Sequence, residues 1–240
     1  MKVIAPNQLM REAAAVLEPI RDDIVVIGAV AVQVALDGQD VALTPTRDID
    51  AGVTTEAAQR VVEHLQACGL DRSELAHERS FTWVKDDLKV QLLRPFHPFP
   101  KGAARGLPVN NLVGELAEYR VLVAFTDEPQ RGRFWAASPA ALVALKAQAF
   151  GRTRHDGEAV DRDFSDAMLL LDRLGPEIAR EIPAPSPMRG RVKQAAEHLL
   201  KDDACAAAAR ELLRTHHETS QQAAEVAVGR AAQRMLRRLE

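Results

Sequence analysis

Asp48 and Asp50, separated by Ile49, are the residues of this 240-residue chain whose types and spacing point most directly to chemistry. In an extended strand successive side chains alternate faces, so the two carboxylates point the same way while Ile49 turns into a core. Two carboxylates on one strand edge can share a divalent cation. Upstream, the apolar run Ile24-Val25-Val26-Ile27 ends at Gly28-Ala29 and leads into a short helical pattern, a place where backbone N–H groups can face a phosphate. Together the two features predict a metal-nucleotide site. Taken alone, the acids read equally well as turn caps at a strand end.

The elements that must position these residues follow from periodicity and punctuation. Asn7 can cap a helix whose apolar residues Leu9, Ala13, Val16 and Leu17 recur at helical spacing. A strand then covers Ile24 to Ile27, a short helix Ala29 to Leu36, a turn Asp37 to Asp40, and a strand Thr46 to Val53. Thr54 or Thr55 with Glu56 starts a helix through Cys68, with Gly69 as its C-cap. Phe81 to Val84 and Leu88 to Leu93, joined by the polar Lys85-Asp86-Asp87, predict a hairpin. Arg94 to Leu112 carries prolines at 95, 98, 100 and 108, which predicts an irregular excursion over or beside the site. Two further strands, Tyr119 to Phe125 and Arg133 to Ala137, precede a helix opened by Ser138-Pro139. A helix from Ala159 to Leu174, a linker from Gly175 to Gly190 and a helical remainder complete the chain. The order predicts an α/β (α+β) fold, a mixed sheet flanked by helices over residues 1–137, followed by a helical C-terminal domain over 138–240.

Composition bounds what such a site can belong to. With 47% hydrophobic and 27% charged residues, the chain can bury one sizeable core or two smaller ones. The longest apolar stretch, Ile24 to Leu36, is interrupted by Gln33 and falls short of the roughly 20 residues that span a bilayer, so no membrane association is expected. Met1 to Leu17 lacks a secretory pattern, and cytoplasmic residence is the expectation. Cys68 and Cys205 have no CxxC partner and read as reduced thiols. The segment Arg189 to Glu240 holds 10 Lys and Arg against 7 Asp and Glu, while the rest holds 21 against 27. That basic tail is either a solvated helix face or a contact to nucleic-acid backbone.

Gly28-Ala29 after a strand, followed by Arg47-Asp48-Ile49-Asp50, resembles the glycine-plus-DxD signature of the nucleotidyltransferase superfamily with the polymerase-β-like fold. More particularly, the sequence resembles the AbiEii-type nucleotidyltransferases, toxins of bacterial toxin–antitoxin and abortive-infection systems. Ser138 to Lys146, SPAALVALK, is similar to the helix on which that family carries an active-site lysine, and Arg162-Asp163-Phe164-Ser165-Asp166 resembles its later DxxD motif. The resemblance covers roughly residues 20 to 175.

The resemblance implies a nucleotidyltransferase-like sheet and a magnesium-dependent enzyme moving a nucleoside monophosphate from an NTP to an acceptor, with tRNA one choice, under the control of a cognate antitoxin protein. Asp48 and Asp50 would bind Mg2+. Gly28, Ala29, Arg47 and Lys146 would contact the nucleotide, and Asp163 would supply a further acid. Metals and a lysine neutralise the charge that develops on the transferred phosphate and the leaving pyrophosphate. Two departures stand against it. Ala29 lacks the hydroxyl that often follows the glycine, and Gln91 stands where many members hold a third strand carboxylate; an amide is neutral and a poor base. The alternative is therefore a catalytically degenerate nucleotidyltransferase-fold module that binds nucleotide, RNA or a partner protein. Lys146 also reads as a lysine snorkelling from an apolar helix face, and Asp163 and Asp166 as partners of Arg162.

Overall fold

The computed structural model describes residues 1–5, 7–41, 46, 48–149, 157–216 and 220–240. They form two compact units, Met1–Asp37 with Pro45–Ser138, and Gly38–Thr44 with Pro139–Glu240. The whole is mixed α/β, with helices and one mixed sheet.

The first unit is built on a sheet of eight strands: β1 (Lys2–Ile4), β2 (Ile24–Ile27), β3 (Asp48–Val53), β4 (Asp71–Arg72), β5 (Thr82–Lys85), β6 (Leu88–Leu93), β7 (Arg120–Phe125) and β8 (Phe134–Ala137). Their spatial order is β1-β7-β8-β2-β3-β6-β5-β4. β2 is buried along its full length, both of its faces being covered, and it pairs antiparallel with β3 and parallel with β8. A strand so placed is apolar at every position, as Ile24 to Ile27 is. β3 runs parallel to β6, with Asp48 opposite Lys89 and Asp50 opposite Gln91. β5 and β6 form the expected hairpin, turning through Asp86 at φ +51°.

Three α-helices among the described residues accompany the sheet, with a 3-10 helix, Glu18–Asp23, leading into β2. α1 (Gln8–Leu17) begins at Asn7, whose side chain accepts from the Met10 N–H. Its Met10, Ala13 and Leu17 gather around Val26, Val30, Ile49 and Phe134, the apolar side of the sheet. α2 (Gly28–Leu36) follows β2 directly, and α3 (Ala58–Ala67) buries Ala58, Val61, Val62 and Leu65. Gly69, at φ +81°, lies just beyond its end. The proline-rich excursion holds two 3-10 turns, Gly102–Gly106 and Asn111–Glu115, gathered about the buried Arg94, whose Nε donates to the Ala104 carbonyl at 2.6 Å. Its described tie to a helix is to α3, where Gln59 Oε1 accepts from the Ala103 N–H.

Five helices make up the described second unit: α4 (Pro139–Ala149), α5 (Gly157–Glu181), α6 (Pro187–Leu199), α7 (Asp202–His216) and α8 (Gln221–Leu239). The span Gly175 to Gly190, expected to be a linker, is mostly helix. α5 runs through Gly175 and Pro176 to Glu181, because Ile178 and Ile182 beyond the proline are fully buried and hold the chain helical at the cost of one backbone hydrogen bond. Only the few residues before Ser186, the N-cap of α6, remain irregular. Gly229 sits inside α8. No helix among the described residues is long and apolar enough to cross a membrane.

Candidate active site

The turn from β2 into α2 is where sequence and structure meet most closely. Gly28 has φ +67°, a conformation that L side chains rarely adopt, and a Cβ built there would lie 2.0 Å from Asp50 Oδ2. Glycine is thus required twice, by the backbone and by a neighbouring carboxylate. Asp50 reaches this turn because Ile27 and Asp50 are paired across the β2–β3 ladder. Its carboxylate sits beside the first turn of α2, where backbone N–H groups lack intrahelical partners and favour negative charge.

Asp48 projects on the same side of β3 as Asp50, while Ile49 is fully buried on the other side. Thr46 shapes the entry to the strand: its hydroxyl lies 3.3 Å from the Asp48 N–H, which it accepts. Arg47, Ala42, Leu43, Thr44 and Pro45 lie outside the described residues, so the nucleotide contact expected of Arg47 has no structural counterpart here.

On β6 the alternation Leu88, Lys89, Val90, Gln91, Leu92 buries the leucines and valine and turns Lys89 and Gln91 toward the two aspartates. With its amide oriented by its neighbours, nitrogen toward the carboxylate and oxygen toward the ammonium, Gln91 donates to Asp50 Oδ1 at 3.1 Å and accepts from Lys89 Nζ at 3.3 Å. Lys89 Nζ lies 3.8 Å from Asp48 Oδ2 and 2.9 Å from Glu78 Oε1. Glu78, from the loop after β4, also accepts from Ser73 Oγ at 3.3 Å. The hydrogen bond from Lys89 holds the Glu78 carboxyl below its ordinary range, against the opposing effect of burial. Lys89 and Glu78 are the site residues that the sequence reading passed over. The alternation of β6 puts Lys89 on the face of Gln91, but its place beside Asp48 comes from the β3–β6 register, and nothing local announces that Glu78 folds back from a loop.

The two carboxylates suit magnesium in one particular way. Magnesium takes one or two protein carboxylates and completes its octahedron with water and substrate phosphate oxygens. Asp48 and Asp50 could supply such a pair; no group of three or more His, Cys, Asp or Glu able to hold a metal ion occurs among the described residues.

Lys146 and Asp163 come together in the second unit. Lys146 Nζ on α4 lies 2.7 Å from Asp163 Oδ1 and 2.7 Å from Asp166 Oδ2, both on α5. The spacing of three residues puts both acids on one helical face. Lys146 is buried, and burial alone lowers the pKa of an ammonium, yet the charges of Asp166 and Asp163 outweigh it and raise the Lys146 pKa. Burial raises the Asp163 carboxyl, Lys146 opposes that shift, and the like charge of Asp166 adds to it. The snorkelling alternative for Lys146 is corrected by this geometry, since its ammonium ends on two carboxylates inside the unit. Asp163 and Asp166 likewise pair with Lys146, with Arg162 a minor influence. Searches of protein families, curated proteins and solved structures find no match to this chain.

Proposed function

We propose that the chain is a magnesium-dependent nucleotidyltransferase that moves a nucleoside monophosphate from an NTP to an acceptor hydroxyl, tRNA being the acceptor to try first, in a toxin–antitoxin-like setting. The observation that carries this reading is the Asp50 carboxylate seated against Gly28 at the mouth of α2, with Asp48 two residues away on the same sheet face. A phosphate-binding turn and a metal-binding pair are thereby adjacent, as the reaction requires. In the transfer, the acceptor oxygen bonds to the α-phosphorus, the bond to the bridging oxygen breaks, pyrophosphate leaves, and the hydroxyl proton passes to water.

Magnesium, when bound with the nucleotide, would neutralise charge on the phosphates. Asp48 and Asp50 orient the triphosphate by holding that charge at one edge of β3. The N–H groups of the Gly28-Ala29 turn supply donors for a phosphate oxygen. Gln91 fixes the rotamer of Asp50 through its hydrogen bond. Lys146 and Asp163 enter this reading as a core cluster of the second unit, because two carboxylates already take up the lysine charge.

The test is incubation with each α-labelled NTP, magnesium and total RNA. Label transfer that is lost in Asp50→Ala supports the reading, and NTP binding without transfer under any nucleotide or acceptor overturns it. A second reading, a nucleotide-binding module without catalysis, is favoured by the amide of Gln91 beside Asp50. Transfer that appears only in Gln91→Asp would decide for it.

A further inference from the structure

The sheet face that carries the proposed nucleotide site already holds a cation of its own. Lys89 Nζ is approached by Glu78 Oε1 at 2.9 Å, by the Gln91 side-chain oxygen at 3.3 Å and by Asp48 Oδ2 at 3.8 Å. The three oxygens come from a loop, from β6 and from β3, and they surround one compact positive charge. Oxygens converging in this manner are also what a hard divalent ion selects. Metal-assisted phosphoryl transfer commonly employs two ions about 3.5–4 Å apart, so that both ends of the displacement are stabilised. Here Asp48 faces the lysine on one side and belongs to the Asp48–Asp50 pair on the other.

We propose that Lys89 takes the place of one of two divalent ions, so that the site loads a single divalent cation, the one that arrives with the nucleotide at Asp48 and Asp50. The proposal rests on the nucleotidyltransferase reading above. The Lys89 ammonium, held between Glu78 and Asp48, supplies at that position the positive charge a second ion would bring. Gln91 fits the same design, because a carboxylate at that position would restore the charge a second ion needs. Its carbonyl instead accepts from Lys89 while its nitrogen donates to Asp50, joining the built-in cation to the metal-binding pair.

Lys89 is a positioning and charge-supplying residue in this scheme, and its replacement should change how many ions bind. Removing the ammonium leaves Glu78, Asp48 and the Gln91 carbonyl facing a vacated position. The experiment counts Mn2+ bound to the full chain by electron paramagnetic resonance, with the α,β-methylene analogues of ATP, GTP, CTP and UTP supplied in turn at saturating concentration. One Mn2+ per chain is expected in the wild type and in Lys89→Arg, and two in Lys89→Met. Lys89→Gln, which keeps a polar head for Glu78, gives the same count of two if Lys89→Met fails to fold. Two ions in the wild type overturn the proposal and leave the nucleotidyltransferase reading standing. One ion of unchanged affinity in both neutral variants also overturns it. A wild type that binds neither Mn2+ nor any analogue overturns both.

Discussion

The two units each contain a lysine facing two carboxylates, and the contrast between these clusters separates a stabilising use of charge from a chemical one. In the second unit Lys146 sits 2.7 Å from each of two acids, and all three side chains are at most 20% exposed. In the first unit Lys89 is tight only to Glu78, at 2.9 Å, and stands 3.8 Å from an Asp48 whose side chain is 42% exposed. A buried cation must be matched by charge at short range or the cluster is not stable. A cation at a half-open sheet face can leave a carboxylate partly unsatisfied, which is the condition for receiving a ligand. The same three charges therefore lock two helices in one unit and leave an opening in the other.

Breaking the buried cluster should have the largest effect. Lys146→Ala strands two acids inside the second unit and is expected to cost about 3–5 kcal/mol, read from urea unfolding. Asp48→Asn, on the open face, should shift the same transition by less than about 0.5 kcal/mol. Equal losses in the two variants would erase the distinction. Next comes Asp50→Ala, for which transfer should fall by roughly 10²–10³-fold with little change in the unfolding midpoint. A fall in stability that matches the fall in activity would make Asp50 a structural acid. Gly28→Ala is expected to lose about 1–3 kcal/mol from its left-handed backbone alone, and more from the Cβ pressing on Asp50. The double variant Gly28→Ala/Asp50→Gly should recover part of that loss if the carboxylate is the obstacle.

The smallest effect concerns acid. Glu78 has a folded pKa depressed from its ordinary 4.5, chiefly by the hydrogen bond from Lys89. Its contribution is therefore fully present above that pH and is lost as pH falls through the depressed value. Glu78→Gln should cost less than about 1 kcal/mol at pH 7, and the gap between variant and parent should close on acidification below 4.5. A gap that widens in acid would reverse the assigned sign.

Much of the fold near the site was legible because local rules agreed there. The apolar run of β2, Gly28 after it and the alternation around Ile49 each specify a conformation that tertiary contacts do not override. The hairpin of β5 and β6 followed from period and turn residues in the same way. β1 and β4 were missed because strands of three and two residues carry no periodicity, and they exist by virtue of pairing with β7 and β5. Pro176 misled for a physical reason: buried contacts by Ile178 and Ile182 outweigh a lost backbone bond, and no local signal reports them. The partners of the site were legible only in part. Alternation puts Asp48 with Asp50 and Lys89 with Gln91 on one face of each strand, whereas the register that brings Asp48 to Lys89, and the meeting of Glu78 with Lys89 or of Lys146 with Asp163 and Asp166, depend on how distant segments pack.

The fit of Asp50 against Gly28 also fixes an order in which these positions can change over evolutionary time. A side chain at 28 has no room while the aspartate is present, but the aspartate can shrink while the glycine stays. In sequences descended from this fold, loss of the glycine should therefore be found only where position 50 has already lost its carboxylate. The pair then serves as a historical marker, with glycine retained beside a small residue at 50 marking an intermediate and a bulky residue at 28 marking a lineage that has abandoned the site.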